Sequence, residues 1–236
     1  MKTLARAHTE ERSLTPNFDR VARPYRWLEY LSFGPMLERV RFFRLPEVAF
    51  ARRALILGDG DGRFTARLLA ANPEILIDAV DCSPRMLELL EGRARRLGPE
   101  AHARLALSLS DARDFTPPVD ARYDLIVTHF FLDCLSHLDL TLLLANLEPA
   151  IAPGAQWLVS EFQIPDHGLA APVSRFIVSG LYRAFGLLTN LQTRELPAWE
   201  FILERAGFRP QDQRSFLRGL LTSEIWIREQ GQGNRD

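Results

Sequence analysis

Lysine is nearly absent from this 236-residue chain: Lys2 is the only one, and every other basic residue is arginine. An arginine bias can serve anion binding, but a coding-composition bias produces the same count and is the plainer account. An excess of either charge is also missing. The net charge of -1 at pH 7 counts against a nucleic-acid partner, because phosphate binding normally shows as a basic surplus. Cysteine is scarce. Cys82 and Cys134 lie far apart with no CxxC spacing, which excludes a disulfide framework and a zinc ribbon. No long apolar run is present either. Residues 1–12 are polar and carry no signal-type apolar region, and the most apolar late stretch, 173–191, is broken by Arg175, Arg183 and two glycines. The expectation is a cytoplasmic, reducing setting and no transmembrane segment.

What is present is an ordinary globular composition, 47% hydrophobic and 25% charged, enough for a full core without staples. Residues 1–16 and 231–236 read as frayed ends. From 18 to about 53 the chain reads as two or three helices with aromatic faces (Phe18, Tyr25, Trp27, Tyr30, Phe33, Phe42, Phe43). After that, short β-type runs alternate with helical periodicity, the pattern of a parallel sheet wrapped by helices. Strands are expected at 54–57, 75–80, 103–109, 123–128 and 156–161, with a turn at Pro153-Gly154 before the last. Helices are expected at 62–71, from Ser83-Pro84 to Leu97, at 138–151 and at 197–206. Ser83 is an N-cap followed by proline at the first helical position. Residues 208–216 and 220–228 read as an antiparallel hairpin joined at Gly219, since parallel partners would need a longer crossover.

The chemistry concentrates at strand ends. Gly58-Asp59-Gly60-Asp61-Gly62 lies between a strand and a helix, where glycines let backbone approach a ligand and helix amides face its polar groups. The spacing is Gly-x-Gly-x-Gly, with Arg63 where the dinucleotide fingerprint needs its third glycine. Asp81, 23 residues past Gly58, ends the next strand and can accept hydrogen bonds from ribose hydroxyls; a helix-dipole role for it stays open. Ser110-Asp111-Ala112 ends the third strand, where Asp111 can accept from an adenine amino group or be a surface carboxylate. Thr128-His129-Phe130 ends the fourth, opening onto the crevice used by α/β sheets for ligands.

In order and spacing, ALILGDGDGRF (54–64), VDCSPRML (80–87), LSDARDF (109–115), YDLIVTHFFLDCL (123–135) and LEPAIAPGAQWLVSEF (147–162) resemble class I S-adenosylmethionine-dependent methyltransferases. The resemblance implies an α/β Rossmann-like fold: a seven-stranded, mostly parallel sheet with a C-terminal antiparallel hairpin and an N-terminal helical lid. It implies S-adenosylmethionine as cofactor, with the turn at Gly58, Gly60 and Gly62 facing its methionine part. Asp81 would hold the ribose, Cys82 and Met86 would flank the adenine, and Ser110, Asp111 and Ala112 would fix the adenine edge. FDRVARPYRWLEYLSFG (18–34) is similar to the N-terminal helix of quinone-biosynthesis C-methyltransferases, in which a tyrosine at the place of Tyr25 closes over the cofactor. Two positions depart from the pattern. Arg26 stands where an aspartate is usual, and Ile56 where an acid usually meets the cofactor's amino group, a role open to Asp59 or a water.

The expected organisation is one methyltransferase domain: a lid (1–53), a cofactor core (54–162), a substrate-covering insertion (163–196), and a closing helix and hairpin (197–230). Methyl transfer is an in-line displacement, so the protein chiefly aligns the reactants and excludes water. If the acceptor needs a base, His129, Asp133 and Glu161 are candidates. The spacing of His129, Asp133 and His137 would suit a metal on a helix face, but the surrounding Phe130, Phe131, Leu132 and Leu135 favour a buried segment, and no metal is expected. The acceptor is expected to be a small apolar or aromatic molecule, covered by Phe176, Leu181, Tyr182, Phe185 and Leu187. A homodimer stays open. The competing readings are a nicotinamide-dependent reductase and an S-adenosylmethionine-binding protein without turnover.

Overall fold

Apolar residues on both faces of a β-run require cover on both sides, and the central strands here have it. The computed structural model describes residues 35–163 and 198–229. Two helices, α1 (Met36–Phe43) and α2 (Leu45–Val48), lead into β1 (Arg53–Leu57). Then follow α3 (Arg63–Ala71), β2 (Leu76–Asp81), α4 (Pro84–Leu97), the short α5 (Pro99–Ala103) and β3 (Leu105–Leu109). β4 (Tyr123–His129) is followed by a 3-10 turn (Leu132–Cys134), α6 (His137–Leu147) and β5 (Ile151–Phe162). The last elements are α7 (Trp199–Arg205), β6 (Phe208–Phe216) and β7 (Leu221–Arg228).

The sheet runs β3-β2-β1-β4-β5-β7-β6. β1 to β5 are mutually parallel, and β7 enters antiparallel to both β5 and β6. Alternation sorts the side chains between two cores. Leu55, Leu57, Ile126, Trp157 and Val159 face α6 and α7, meeting Leu140, Leu143, Leu147 and Leu203. Ala54, Ile56, Leu125, Val127 and Leu158 face α3 and α4, meeting Phe64, Leu68, Leu90 and Ala94. Each fully buried side chain of this size contributes roughly 1.5–3 kcal/mol. On that second face Leu37 and Val40 of α1 pack with Phe162 and Leu221, tying the N-terminal helix to the ends of β5 and β7.

The Ser83 cap forms as its sequence suggests, with its Oγ accepting from the Met86 N–H at 3.2 Å. Two expectations are corrected. The helix expected to reach 151 stops at Leu147, because Pro149 has no N–H to continue the ladder and a 3-10 turn (Glu148–Ala150) replaces it. Pro153-Gly154 does not precede the fifth strand but lies inside it. Gly154 has φ +74°, and pairing steps from Tyr123↔Ile151 to Leu125↔Gln156 across an irregularity. The lid helix with Tyr25 (18–34) and most of the expected insertion, with Phe176, Leu181, Tyr182, Phe185 and Leu187, lie outside the described residues. Among the described residues no helix is long and apolar enough to cross a membrane.

Candidate functional site

The strand order places the C-terminal ends of β2, β1, β4 and β5 side by side. Leu57 pairs with Val80 on one side and Thr128 on the other, and His129 pairs with Ser160. The chain leaves β1 into the glycine turn, where Gly58, Gly60 and Gly62 have φ of +65°, +60° and +77°. That left-handed backbone is costly for residues with a Cβ, so the alternation of glycine has a conformational cause. The turn is anchored by the Gly58 N–H, which donates to the Val80 carbonyl at 3.0 Å.

The two aspartates of the turn do different work. Asp59 is buried, and its Oδ2 accepts from the Thr65 N–H at 2.9 Å and the Thr65 hydroxyl at 2.7 Å. It therefore caps α3, whose N-cap position is Gly62 and has no side chain. Burial pushes the Asp59 carboxyl above its ordinary range, against the opposing pull of Arg41 and Thr65. Its Oδ1 has no hydrogen-bond partner among the described residues. Asp61 instead accepts from Arg63 Nε at 2.8 Å and forms an ion pair with Arg93, whose Nε also donates to the Asp61 carbonyl at 2.7 Å.

At the end of β2 the Asp81 carboxylate accepts from the Ser83 N–H at 2.9 Å, and the Asp81 carbonyl accepts from the Ser110 N–H at 3.1 Å. One strand end thus orients both the acid and the start of the next candidate segment. Cys82 is half-buried and Met86 is buried on α4. Asp111 is drawn to Arg113, accepting from its backbone N–H at 3.0 Å and its Nε at 2.9 Å. Ala112 packs into the α6–α7 core. Arg113, the partner of Asp111, is two residues on in the sequence but carries no motif that marks it.

β4 separates the next residues by face. Thr128 accepts from the Trp157 indole N–H at 3.0 Å on the α6–α7 side. His129 lies on the other side, its ring edge-on to Phe64 at 4.6 Å between centroids. It is buried, and neither ring nitrogen has a hydrogen-bond partner among the described residues. Burial, aided by the nearby Arg41 guanidinium, drives its pKa well below the ordinary 6.5. Arg41, on α1 and 12 residues before β1, had no recognisable signal in the sequence. It is buried at 3% exposure and acts electrostatically on both Asp59 and His129.

The unfolded chain protonates His129 below about pH 6.5 while the folded state resists it, so folding stability falls progressively as pH drops below that value. His129→Phe is expected to flatten this acid limb. Urea melts at pH 7.5 and 5.5 should show a smaller loss on acidification than in wild type; an equal loss would mean that His129 titrates normally.

Asp133 and Glu161 come together on the Trp157 side, away from His129, so the three candidate bases do not form one cluster. Glu161 is fully buried, and its Oε1 accepts from the N–H groups of Phe131 and Leu132 at 2.9 and 2.7 Å. Burial and then Asp133 raise its carboxyl well above 4.5. The i,i+4,i+8 geometry that would serve a metal is not formed. β4 ends at His129, the 3-10 turn covers Leu132–Cys134, and α6 begins only at His137.

Residues 55–156 match the family model for a methyltransferase domain. The chain is 37% identical over 126 residues to a trans-aconitate 2-methyltransferase of Methylobacterium radiotolerans, the match covering 53% of this chain and 42% of that one. It therefore spans about two fifths of that curated relative. Among solved structures, an O-methyltransferase family protein from Burkholderia thailandensis superposes with a TM-score of 0.64 at 18% identity, covering 96% of this chain and 68% of that one. The N-methyltransferase NodS from Bradyrhizobium japonicum WM9, in complex with S-adenosyl-L-homocysteine, superposes with a TM-score of 0.57 at 15% identity, covering 81% and 87%. Residues 55–156 are thus similar to a methyltransferase domain, and the chain shares its fold with methyltransferases of known structure.

Proposed function

We propose that this chain transfers a methyl group from S-adenosylmethionine to a small, apolar or aromatic acceptor. The observation that carries the reading is the left-handed glycine turn at the end of β1, one strand from the Asp81 carboxylate. The residues present fit the cofactor. The turn offers backbone rather than side chains, Asp81 ends the neighbouring strand with a carboxylate that would accept from ribose hydroxyls, and Asp59 Oδ1 is a buried acceptor with no partner among the described residues. In this reading Cys82 and Met86 flank the adenine, Ser110, Asp111 and Ala112 lie at its edge, and Tyr25 closes over the methionine end.

When bound, S-adenosylmethionine supplies an activated sulfonium methyl group. The chain then needs only to align the acceptor and keep water out. Thr128, Phe130 and Phe131 lie at the end of β4, between the glycine turn and the end of β5, and support an apolar acceptor side. Arg63, at the place of a dinucleotide site's third glycine and paired with Asp61, speaks against a nicotinamide reductase.

Calorimetry with S-adenosylhomocysteine tests the reading. Wild type is expected to bind it and to melt higher in its presence, while NAD and NADP do neither. Asp81→Ala is expected to weaken binding by roughly 1.5–3 kcal/mol, the worth of a charge-assisted hydrogen bond. Unchanged affinity with a stability loss of roughly 0.3–1 kcal/mol would leave Asp81 only a helix-dipole role. Binding without turnover across an acceptor panel would identify a cofactor-binding protein rather than an enzyme.

A further inference from the structure

The turn after β4 is held by an arrangement that cofactor binding alone does not explain. Phe130 has φ +54°, a left-handed conformation rare for a bulky side chain. Such a conformation persists only where its surroundings over-determine it. Here three successive N–H groups are taken by the end of β5. Phe130 donates to the Ser160 carbonyl at 2.7 Å, and Phe131 and Leu132 both donate to Glu161 Oε1. The 3-10 turn that follows has no side-chain cap of its own, so the Glu161 carboxylate supplies one from a neighbouring strand.

The turn puts the Phe131 ring against the first glycine of the cradle. A Cβ built on Gly58 would fall 2.4 Å from Phe131 Cδ2 and 3.0 Å from Cε2. The ring thus occupies the volume beside Gly58 on the side facing the end of β4. Glu161 itself is wholly enclosed, and one of its oxygens is already committed to two amides, which is a poor arrangement for taking a proton from an acceptor.

We propose that Glu161 is a positioning residue: its carboxylate holds the 130–132 turn and thereby sets the Phe131 ring as the wall of the cofactor cradle on its acceptor side. The ligand part of this proposal rests on the methyltransferase reading; the holding of the turn does not.

Amide hydrogen exchange, thermal melting and S-adenosylhomocysteine calorimetry on the full chain test it, using wild type, Glu161→Gln, Glu161→Leu and Phe131→Ala. Glutamine keeps an oxygen that accepts from both amides, so exchange at 131 and 132 should stay slow and affinity should stay within about twofold. Leucine removes the acceptor, so exchange at 131 and 132 should quicken by about 100-fold while residues 55–57 stay protected, and affinity should fall about 10-fold or more. Phe131→Ala should lose affinity comparably while Leu132 remains protected. Slow exchange at 131 and 132 in Glu161→Leu overturns the proposal. So does wild-type affinity in Phe131→Ala, or an affinity loss in Glu161→Gln without any change in exchange. If Glu161→Leu does not fold, the glutamine and alanine variants decide. If wild type does not bind S-adenosylhomocysteine, the methyltransferase reading fails separately, and exchange alone decides whether Glu161 holds the turn.

Discussion

Gly62→Ala is expected to destabilise the protein by about 2–5 kcal/mol, adding roughly 1–2 for left-handed backbone and roughly 1–3 for overpacking. Gly62 has φ +77°, and its missing Cβ would lie 2.5 Å from Leu90 Cβ and 2.7 Å from Leu90 Cα. The second contact is to the backbone of α4, so no side-chain rotation relieves it; the α3–α4 packing itself must open. Gly58→Ala is a useful contrast, since the new methyl group meets a side chain, the Phe131 ring, rather than helix backbone. Gly62→Ala should therefore be the more damaging in urea denaturation, and Gly58→Ala the more damaging to cofactor affinity relative to its stability loss. A loss of only about 1–2 kcal/mol for Gly62→Ala, the backbone cost alone, would show that α4 yields readily there.

Phe64→Ala should be comparably severe, about 3–5 kcal/mol for a large side chain lost from a full core. Phe64 is fully buried, stacks on Phe42 of α1 with 6.4 Å between centroids, and meets His129 edge-on. Its removal also admits solvent toward His129. Two signals should move together: stability falls, and the His129 pKa climbs toward 6.5 as the main cause of its depression is relieved. Chemical denaturation and an NMR titration of the ring protons would measure both. A large stability loss with an unmoved pKa would show that the surroundings collapse into the space.

The parts of the fold that were legible are those whose signal is local. The alternation of apolar runs, the Ser83 cap and the glycine turn all depend on neighbours within a few residues, and each lies where its sequence suggests. The antiparallel close of the sheet was legible because a short link cannot make a parallel crossover. Opacity begins where a neighbour comes from far away. Thr128 and His129 are adjacent in sequence, but which face each takes depends on pairing with β1 and β5. Arg41 influences two site residues from a helix with no chemical motif. Pro153-Gly154 carries a strong turn signal, yet Ile151 already pairs with Tyr123, and tertiary pairing overrides it. The amides that Glu161 holds, at Phe131 and Leu132, are hidden for the same reason, whereas the Thr65 partner of Asp59 lies only six residues on.

The exposed strand at the C-terminal side of the sheet bears on how the protein behaves at high concentration. Among the described residues β6 is the outer strand there, nearly all of it open to solvent, and such an edge is a template for adding strands from other molecules. This one is poorly suited to that. Pro210 cannot donate a hydrogen bond outward, the pairing slips between Pro210 and Asp212, and Arg209, Asp212 and Arg214 place charges of both signs along it. An incoming strand would find an interrupted ladder and would have to bury charged side chains, among them Asp212 paired with Arg44 and Arg209 paired with Glu229. Strand addition at this edge is therefore expected to be disfavoured by Pro210, the slipped pairing and the charges along it.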